Sequence, residues 1–259
     1  MGEITLKPGL LLCVAALLVA LLSGAARGAV SFDEYVIDGV WVKAVTVDLG
    51  DSTIKVSPQV CYGLPFSEEP FDSIIYRTRP LAAVNGTYFN METSTPVGEI
   101  TIDGVKLNSS ATGTVLAVTR KRRAFFFSAR NHRKIKRSDL EFTLGGGPRL
   151  LVKGKIPSSF GGEGFRDKHI FGSAVRTAVG LDNASARLTM AVSLTSVTLG
   201  RWAATLRSLG VSDAINLDGG GSTALFYRGV FHVKPTRPLS NILVVYDRPG
   251  GGGGSHRGD

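Results

Sequence analysis

A carboxylate followed by three glycines and two hydroxyls, Asp218-Gly219-Gly220-Gly221-Ser222-Thr223, is the stretch of this chain richest in chemistry. The mostly apolar run Ala214 to Leu217 leads into it, so a strand delivers Asp218 to its C-terminal end. Glycines let the backbone approach a ligand without side-chain obstruction. Consecutive N–H groups in such a turn form an anion nest, and Ser222 and Thr223 add hydroxyl donors. The pattern suits a phosphate held beside an acid–base group, with Asp218 in that role. The plainer reading is a tight turn with a solvated Asp, but three adjacent glycines are more than a turn needs. No Lys follows the glycines, so this is not a Walker loop.

Four further segments carry candidate chemistry. In Ala83-Val84-Asn85-Gly86-Thr87-Tyr88-Phe89-Asn90 a strand ends in a glycine turn flanked by amides and aromatics. Amides and aromatic faces suit a sugar, so Asn85 and Phe89 are candidate substrate contacts; a strand-end Asx turn packed by Phe89 is the other reading. Asn85-Gly86-Thr87, Asn108-Ser109-Ser110 and Asn183-Ala184-Ser185 also fit the glycosylation sequon. Arg149 follows Gly145-Gly146-Gly147-Pro148, and Arg176 opens Arg176-Thr177-Ala178-Val179-Gly180. Either guanidinium has the planar fork that clamps a phosphate, or is a surface Arg. The stretch Arg120 to Arg137 is strongly basic around Phe125-Phe126-Phe127. It reads as a solvated hairpin face; contact with an anionic envelope polymer is the next reading, and nucleic acid the last.

His132, His169, His232 and His256 are scattered without metal-ligand spacing, and no Gly-x-Ser-x-Gly elbow is present. No metal and no cofactor is expected.

The elements that must position these residues are mostly strands. Val40–Val47, Ser52–Pro58, Leu81–Val84, Thr177–Leu181, Leu188–Val197, Ala214–Leu217, Ala224–Tyr227 and Asn241–Tyr246 read as strands. Asp103-Gly104 centres a hairpin over Glu99–Leu107, and Thr114–Val118 pairs with Ala124–Phe127 around a basic tip. Gly145-Gly146-Gly147-Pro148 reads as a loop entering Leu150-Leu151-Val152. One clear helix is expected over Leu199–Leu209, with Thr198 as N-cap and Gly210 as its C′ glycine. The expected fold class is α+β: a strand-rich mixed sheet core with few helices.

Composition sets the frame. Of 259 residues, 43% are hydrophobic and 20% charged, enough apolar material for a core and too much for a disordered chain. The net charge of +9 suits an anionic partner without choosing among them. Lys7, the apolar run Gly9–Leu22 and the small residues Ser23 to Gly28 read as a secretory signal peptide cleaved after Gly28, with an uncleaved anchor as the alternative. The run is short for a spanning helix, so no stable membrane insertion is expected after cleavage. The domain would cover residues 29–249, and the Gly-rich tail 250–259 cannot bury a core. Cys61 alone survives cleavage and is expected buried and inert. The chain would be secreted or lie in the periplasm or cell envelope.

Taken together, Ala83 to Phe89, Gly145 to Leu150, Arg176 to Gly180 and Asn216 to Thr223 resemble the phosphodiester glycosidase family, and Pro238-Leu239-Ser240-Asn241-Ile242 fits as well. The resemblance spans about Val40 to Tyr246. It implies hydrolysis of a sugar-1-phosphodiester to free sugar and a phosphomonoester. By that resemblance Asp218 and Arg176 are catalytic, with Asn85, Phe89, Arg149, Gly219, Gly220, Gly221, Ser222 and Thr223 around the substrate. Thr87-Tyr88 stands where the family often has a second glycine and a phenylalanine, which puts extra bulk beside the sugar subsite. Glycoside cleavage usually calls on a second carboxylate, and Glu99 is the remaining candidate. The implied partner is a sugar-phosphate or glycopolymer substrate, not nucleic acid. The alternative is a non-catalytic envelope protein that binds anionic glycopolymer through the basic hairpin.

Overall fold

The computed structural model describes residues 28–61, 66–134 and 136–247. The leader before Gly28 and the tail from Gly250 lie outside these residues, as do the expectations placed on them.

Three antiparallel sheets make the body. The first runs in the order β1 (Val30–Ile37), β2 (Val40–Asp48), β12 (Arg187–Ser193), β11 (Thr177–Leu181), β13 (Asp213–Asn216), β10 (Arg149–Leu151). The second runs β15 (Val230–Val233), β14 (Leu225–Tyr227), β4 (Ala82–Asn85), β16 (Asn241–Asp247), β3 (Ile54–Val60). The third runs β6 (Val105–Asn108), β5 (Ile100–Ile102), β9 (Leu140–Gly146), β7 (Thr114–Thr119), β8 (Ala124–Ser128). Two α-helices, α1 (Phe71–Thr78) and α2 (Leu199–Ser208), lie outside them. The strand-rich α+β expectation holds, and every pairing of these strands is antiparallel.

Side-chain alternation explains the layering. On β2, Val45 and Val47 enter a central core shared by all three sheets, while Val42 and Ala44 point the other way. On β11, Val179 and Leu181 face inward and Ala178 outward; on β12, Met190 faces inward and Ala191 outward. The small outward residues Ala44, Ala178, Ala191 and Ala214 leave room for α2, whose Trp202, Ala203 and Leu206 pack on them. Thr198 caps α2 by accepting from the Arg201 N–H, a contact of about 1 kcal/mol, and Gly210 follows at φ 84°. Helix α1 buries Phe71, Ile74 and Ile75 on the outer face of the second sheet against Ala83, Phe226 and Val244.

The structure alters several expectations. Gly145 and Gly146 lie inside β9 rather than in a loop. A Cβ on Gly145 would stand 2.4 Å from the Glu99 backbone nitrogen, and one on Gly146 2.7 Å from the Asn216 carbonyl. Glycine here serves close strand contact. Strands β1 and β15 and helix α1 were not among the expected elements. The basic tip is only partly solvated. Arg122 donates to the carbonyls of Leu49, Asp51, Ser52 and Ile54, and Arg120 to those of Ser138 and Asp103. Lys121 and Arg123 remain exposed. Cys61 is buried, its thiol donates to the Leu239 carbonyl, and burial pushes its pKa up to about 12.

Candidate active site

The quoted motifs meet at one end of the sheets because their strands end together. Asn85 closes β4 and Asp218 follows β13, whereas Thr177 opens β11 between them. Asn85 is 1% exposed, and its amide stitches the three: Nδ2 donates to the Asp218 carbonyl at 2.6 Å, and Oδ1 accepts from Thr177 Oγ1 at 2.7 Å and Ala224 N at 3.0 Å. Gly86 follows where a Cβ would stand 1.9 Å from Asn241 Oδ1, and that same oxygen accepts from the Thr87 N–H. Asn85 is thus a buried bracket that sets Asp218, rather than a group turned toward a ligand. Its burial also removes it as a glycosylation acceptor, since that chemistry needs an exposed loop.

Asp218 is 7% exposed and lines a cleft of about 670 Å³. One carboxylate oxygen accepts from the Gly219 N–H at 2.9 Å, the other from Arg237 Nη2 at 3.0 Å, and Ser222 also bonds the carboxylate. Desolvation outweighs these bonds and the Arg237 charge, so the Asp218 pKa is raised. Arg237 Nε donates to Ser222 Oγ at 2.6 Å, its guanidinium lies 5.2 Å over the Phe89 ring, and Nη1 reaches Met91 Sδ at 3.1 Å. Arg237 is the cleft residue that sequence reasoning passes over: nothing in Thr236-Arg237-Pro238 distinguishes it from a loop.

The glycine turn does not form the expected nest. Gly219 N–H is spent on Asp218, Gly220 N–H on the Val175 carbonyl, and Ser222 and Thr223 N–H on Gly219 and Gly220. The glycines instead allow close packing: a Cβ on Gly219 would sit 2.8 Å from Val175 O, and one on Gly221 2.8 Å from Thr236 Oγ1. Thr223 Oγ1 is buried and unpartnered, as are Thr87 Oγ1 and Asn216 Oδ1.

The cleft walls are Tyr88, Phe89, Phe165 and Ile170, with Arg166 and Asp167 on the rim. Tyr88 donates to the Gly147 carbonyl at 2.9 Å and accepts from Asn216 Nδ2 at 2.6 Å, so both sides of its hydroxyl are used. Burial pushes its phenol well above the ordinary value. Its ring meets Phe165 edge-on at 5.6 Å.

Arg176 is 2% exposed and holds this wall in place. Its guanidinium donates to the carbonyls of Val197, Ile170 and Gly172. Among the described residues no carboxylate pairs with it, and desolvation lowers its pKa. Arg149 is turned elsewhere: it pairs with Asp213, bonds the Leu151 carbonyl and stacks on Phe126 at 4.6 Å. Glu99 is 3% exposed, accepts from Thr143 Oγ1 at 3.2 Å and faces Lys106 at 3.8 Å. Neither Arg149 nor Glu99 lines the Asp218 cleft; Asp167 is the carboxylate that does. Among the described residues no group of three or more His, Cys, Asp or Glu side chains is placed to hold a metal ion.

A buried acid paired with a guanidinium, under aromatic walls and at the meeting of antiparallel strand ends, defines a polar-ligand cleft on a β-rich scaffold. The family model for phosphodiester glycosidases matches residues 78–246, and the chain belongs to that family. No curated protein matches the chain. Among solved structures, a hypothetical protein from Synechocystis superposes with a TM-score of 0.69 at 16% identity. That match covers 86% of this chain, which spans 63% of the Synechocystis protein. The zebrafish N-acetylglucosamine-1-phosphodiester alpha-N-acetylglucosaminidase catalytic domain, auto-inhibited by its pro-peptide, gives a TM-score of 0.69 at 20% identity. There 86% of this chain and 85% of the other are covered. These likenesses speak for the fold. Among the described residues no helix is long and apolar enough to cross a membrane.

Proposed function

We propose that this chain is an exported hydrolase that cleaves a sugar-1-phosphodiester to free sugar and a phosphomonoester. The observation that carries the reading is the Asp218–Arg237 pair in a cleft walled by Tyr88, Phe89 and Phe165. The aromatic walls suit a sugar ring, and the guanidinium suits the single charge of a phosphodiester. In the step proposed, water attacks the anomeric carbon as the bond from that carbon to the bridging oxygen breaks. The bond's electron pair leaves with the phosphate, and Asp218, as carboxylate, takes a proton from the water. Arg237, joined by Arg166 on the rim, meets the charge that grows on the departing phosphate. Asp167 replaces Glu99 as the second carboxylate of the cleft. Export rests on the Gly9–Leu22 run and the small residues after it.

The test uses the p-nitrophenyl ester of a sugar-1-phosphate in water enriched in heavy oxygen. The expected products are p-nitrophenyl phosphate, read by a coupled phosphatase, and free sugar carrying the label. Release of nitrophenol with sugar-1-phosphate would mean cleavage on the other side of phosphorus and would overturn the assignment. No turnover, with binding of anionic glycopolymer, would favour the non-catalytic alternative.

A further inference from the structure

Arg237 borders two cavities, not one. Besides the Asp218 cleft it lines a pocket of about 330 Å³ whose other walls include Pro70, Phe71, Phe231, Pro235 and Pro238. That volume lies at the low end of the range for small-molecule sites, about 300–1,000 Å³, and suits one ring or a short branched chain. Its lining is stiff. Prolines have a fixed φ, and Phe231 is held edge-on by Phe71 and Phe226 at 5.8 and 5.1 Å. The charged groups on its border are already engaged or face water. Asp72 accepts from the Ser73 N–H, and the exposed Lys234 lies 5.2 Å from the Phe231 ring centroid. Thr236 also lines the pocket, its hydroxyl donating to the Gly221 carbonyl at 3.4 Å, so the wall is mostly apolar, next to the same guanidinium that pairs with Asp218.

A phosphodiester is built the same way: one substituent, a single negative charge, then a second substituent. With the sugar in the Asp218 cleft and the phosphate at Arg237, the second substituent would lie toward the proline-lined pocket that the same arginine borders. We propose that this pocket is the aglycone subsite and that it takes an apolar, ring-sized group esterified to the phosphate. The inference rests on the proposed function and names the half of the substrate which that reading leaves open. The pocket's chemistry disfavours a polar sugar in this position, because its Pro and Phe walls offer such a group few hydrogen-bond partners.

The test is a substrate series on the wild-type protein, with one sugar and alkyl aglycones of nearly equal leaving-group acidity: methyl, propyl and cyclohexylmethyl. Burial of several methylenes should raise kcat/KM of the cyclohexylmethyl ester roughly 10–100-fold over the methyl ester. The propyl ester should fall between them. Phe231→Ala should bring kcat/KM of the cyclohexylmethyl ester down toward that of the methyl ester, so that most of the preference is lost; the wild-type series stands even if that variant fails to fold. Equal kcat/KM across the series, or a preference for a hydroxylated aglycone of the same size, would overturn the subsite and leave the hydrolase reading standing. Failure of all three esters to turn over would overturn both.

Discussion

At the scale of single residues, two arginines divide the work that the sequence assigns to one. Arg237 touches the acid, while Arg176 touches only backbone carbonyls. Asp218→Asn should therefore lower kcat by about 10²–10⁴-fold. It should not cost stability at neutral pH. The raised Asp218 pKa means that its contribution to stability is present below the unfolded value near 3.8 and is lost as pH climbs through the folded value. A neutral amide removes that loss, so thermal melts should show an equal or higher Tm beside the lost turnover. Arg237→Gln removes the charge that lowers the Asp218 pKa, so the acid limb of kcat/KM against pH should move to higher pH; an unmoved limb would detach Asp218 from it. Arg176→Lys keeps the charge but cannot span three carbonyls. It should raise KM and speed proteolysis near Ile170–Gly172. Asp218 is legible because its glycine-rich setting is unusual in sequence. Arg237 is not, because its partnership depends on a path through β14 and β15 that no local pattern reveals.

At the scale of elements, most strands follow their apolar alternation, and the misses have physical causes. Helix α1 carries Phe71, Ile74, Ile75 and Thr78 at helical spacing, but eight residues are too few for the period to stand out. The turn between β1 and β2 is Asp38-Gly39, with φ 50° and 77°, an ordinary hairpin signal that the preceding mixed strand obscures. The turn before β15 puts Arg228 at φ 44°, where arginine gives no warning. Gly145 and Gly146 read as loop because glycine usually marks one; only the neighbouring strands' approach shows why they stay in β9. The β7–β8 tip yields its own prediction. Thr112 borders the Asp218 cleft and Thr119 the tip, a separation of about 20 Å along an extended strand. Lys121→Glu with Arg123→Glu should leave turnover of a small substrate unchanged and weaken any binding to anionic polymer, most at low salt. Arg122→Ala should instead lower the Tm, since four carbonyls lose their donor. A tip pair whose reversal abolishes turnover in a folded protein would place the hairpin in the site.

At the scale of the whole molecule, the Asn85 amide has a consequence for assembly in time. It joins positions 133, 92 and 139 residues away, and each contact must wait for a large loop to close. Chains dominated by such distant contacts fold slowly compared with those built from neighbours. Nothing local can pre-form the strand-end geometry around Asp218, so catalytic competence should be the last property to return on dilution from denaturant. Regain of turnover should track the slowest change in tryptophan fluorescence, which Trp202 reports from the buried side of α2. A collapsed intermediate that already hydrolyses substrate would show that the three strand ends meet without their shared amide. For the same reason, removal of β16 as a whole should abolish the working cleft. Asn241, which seats Gly86 and Thr87, is the first residue of that strand.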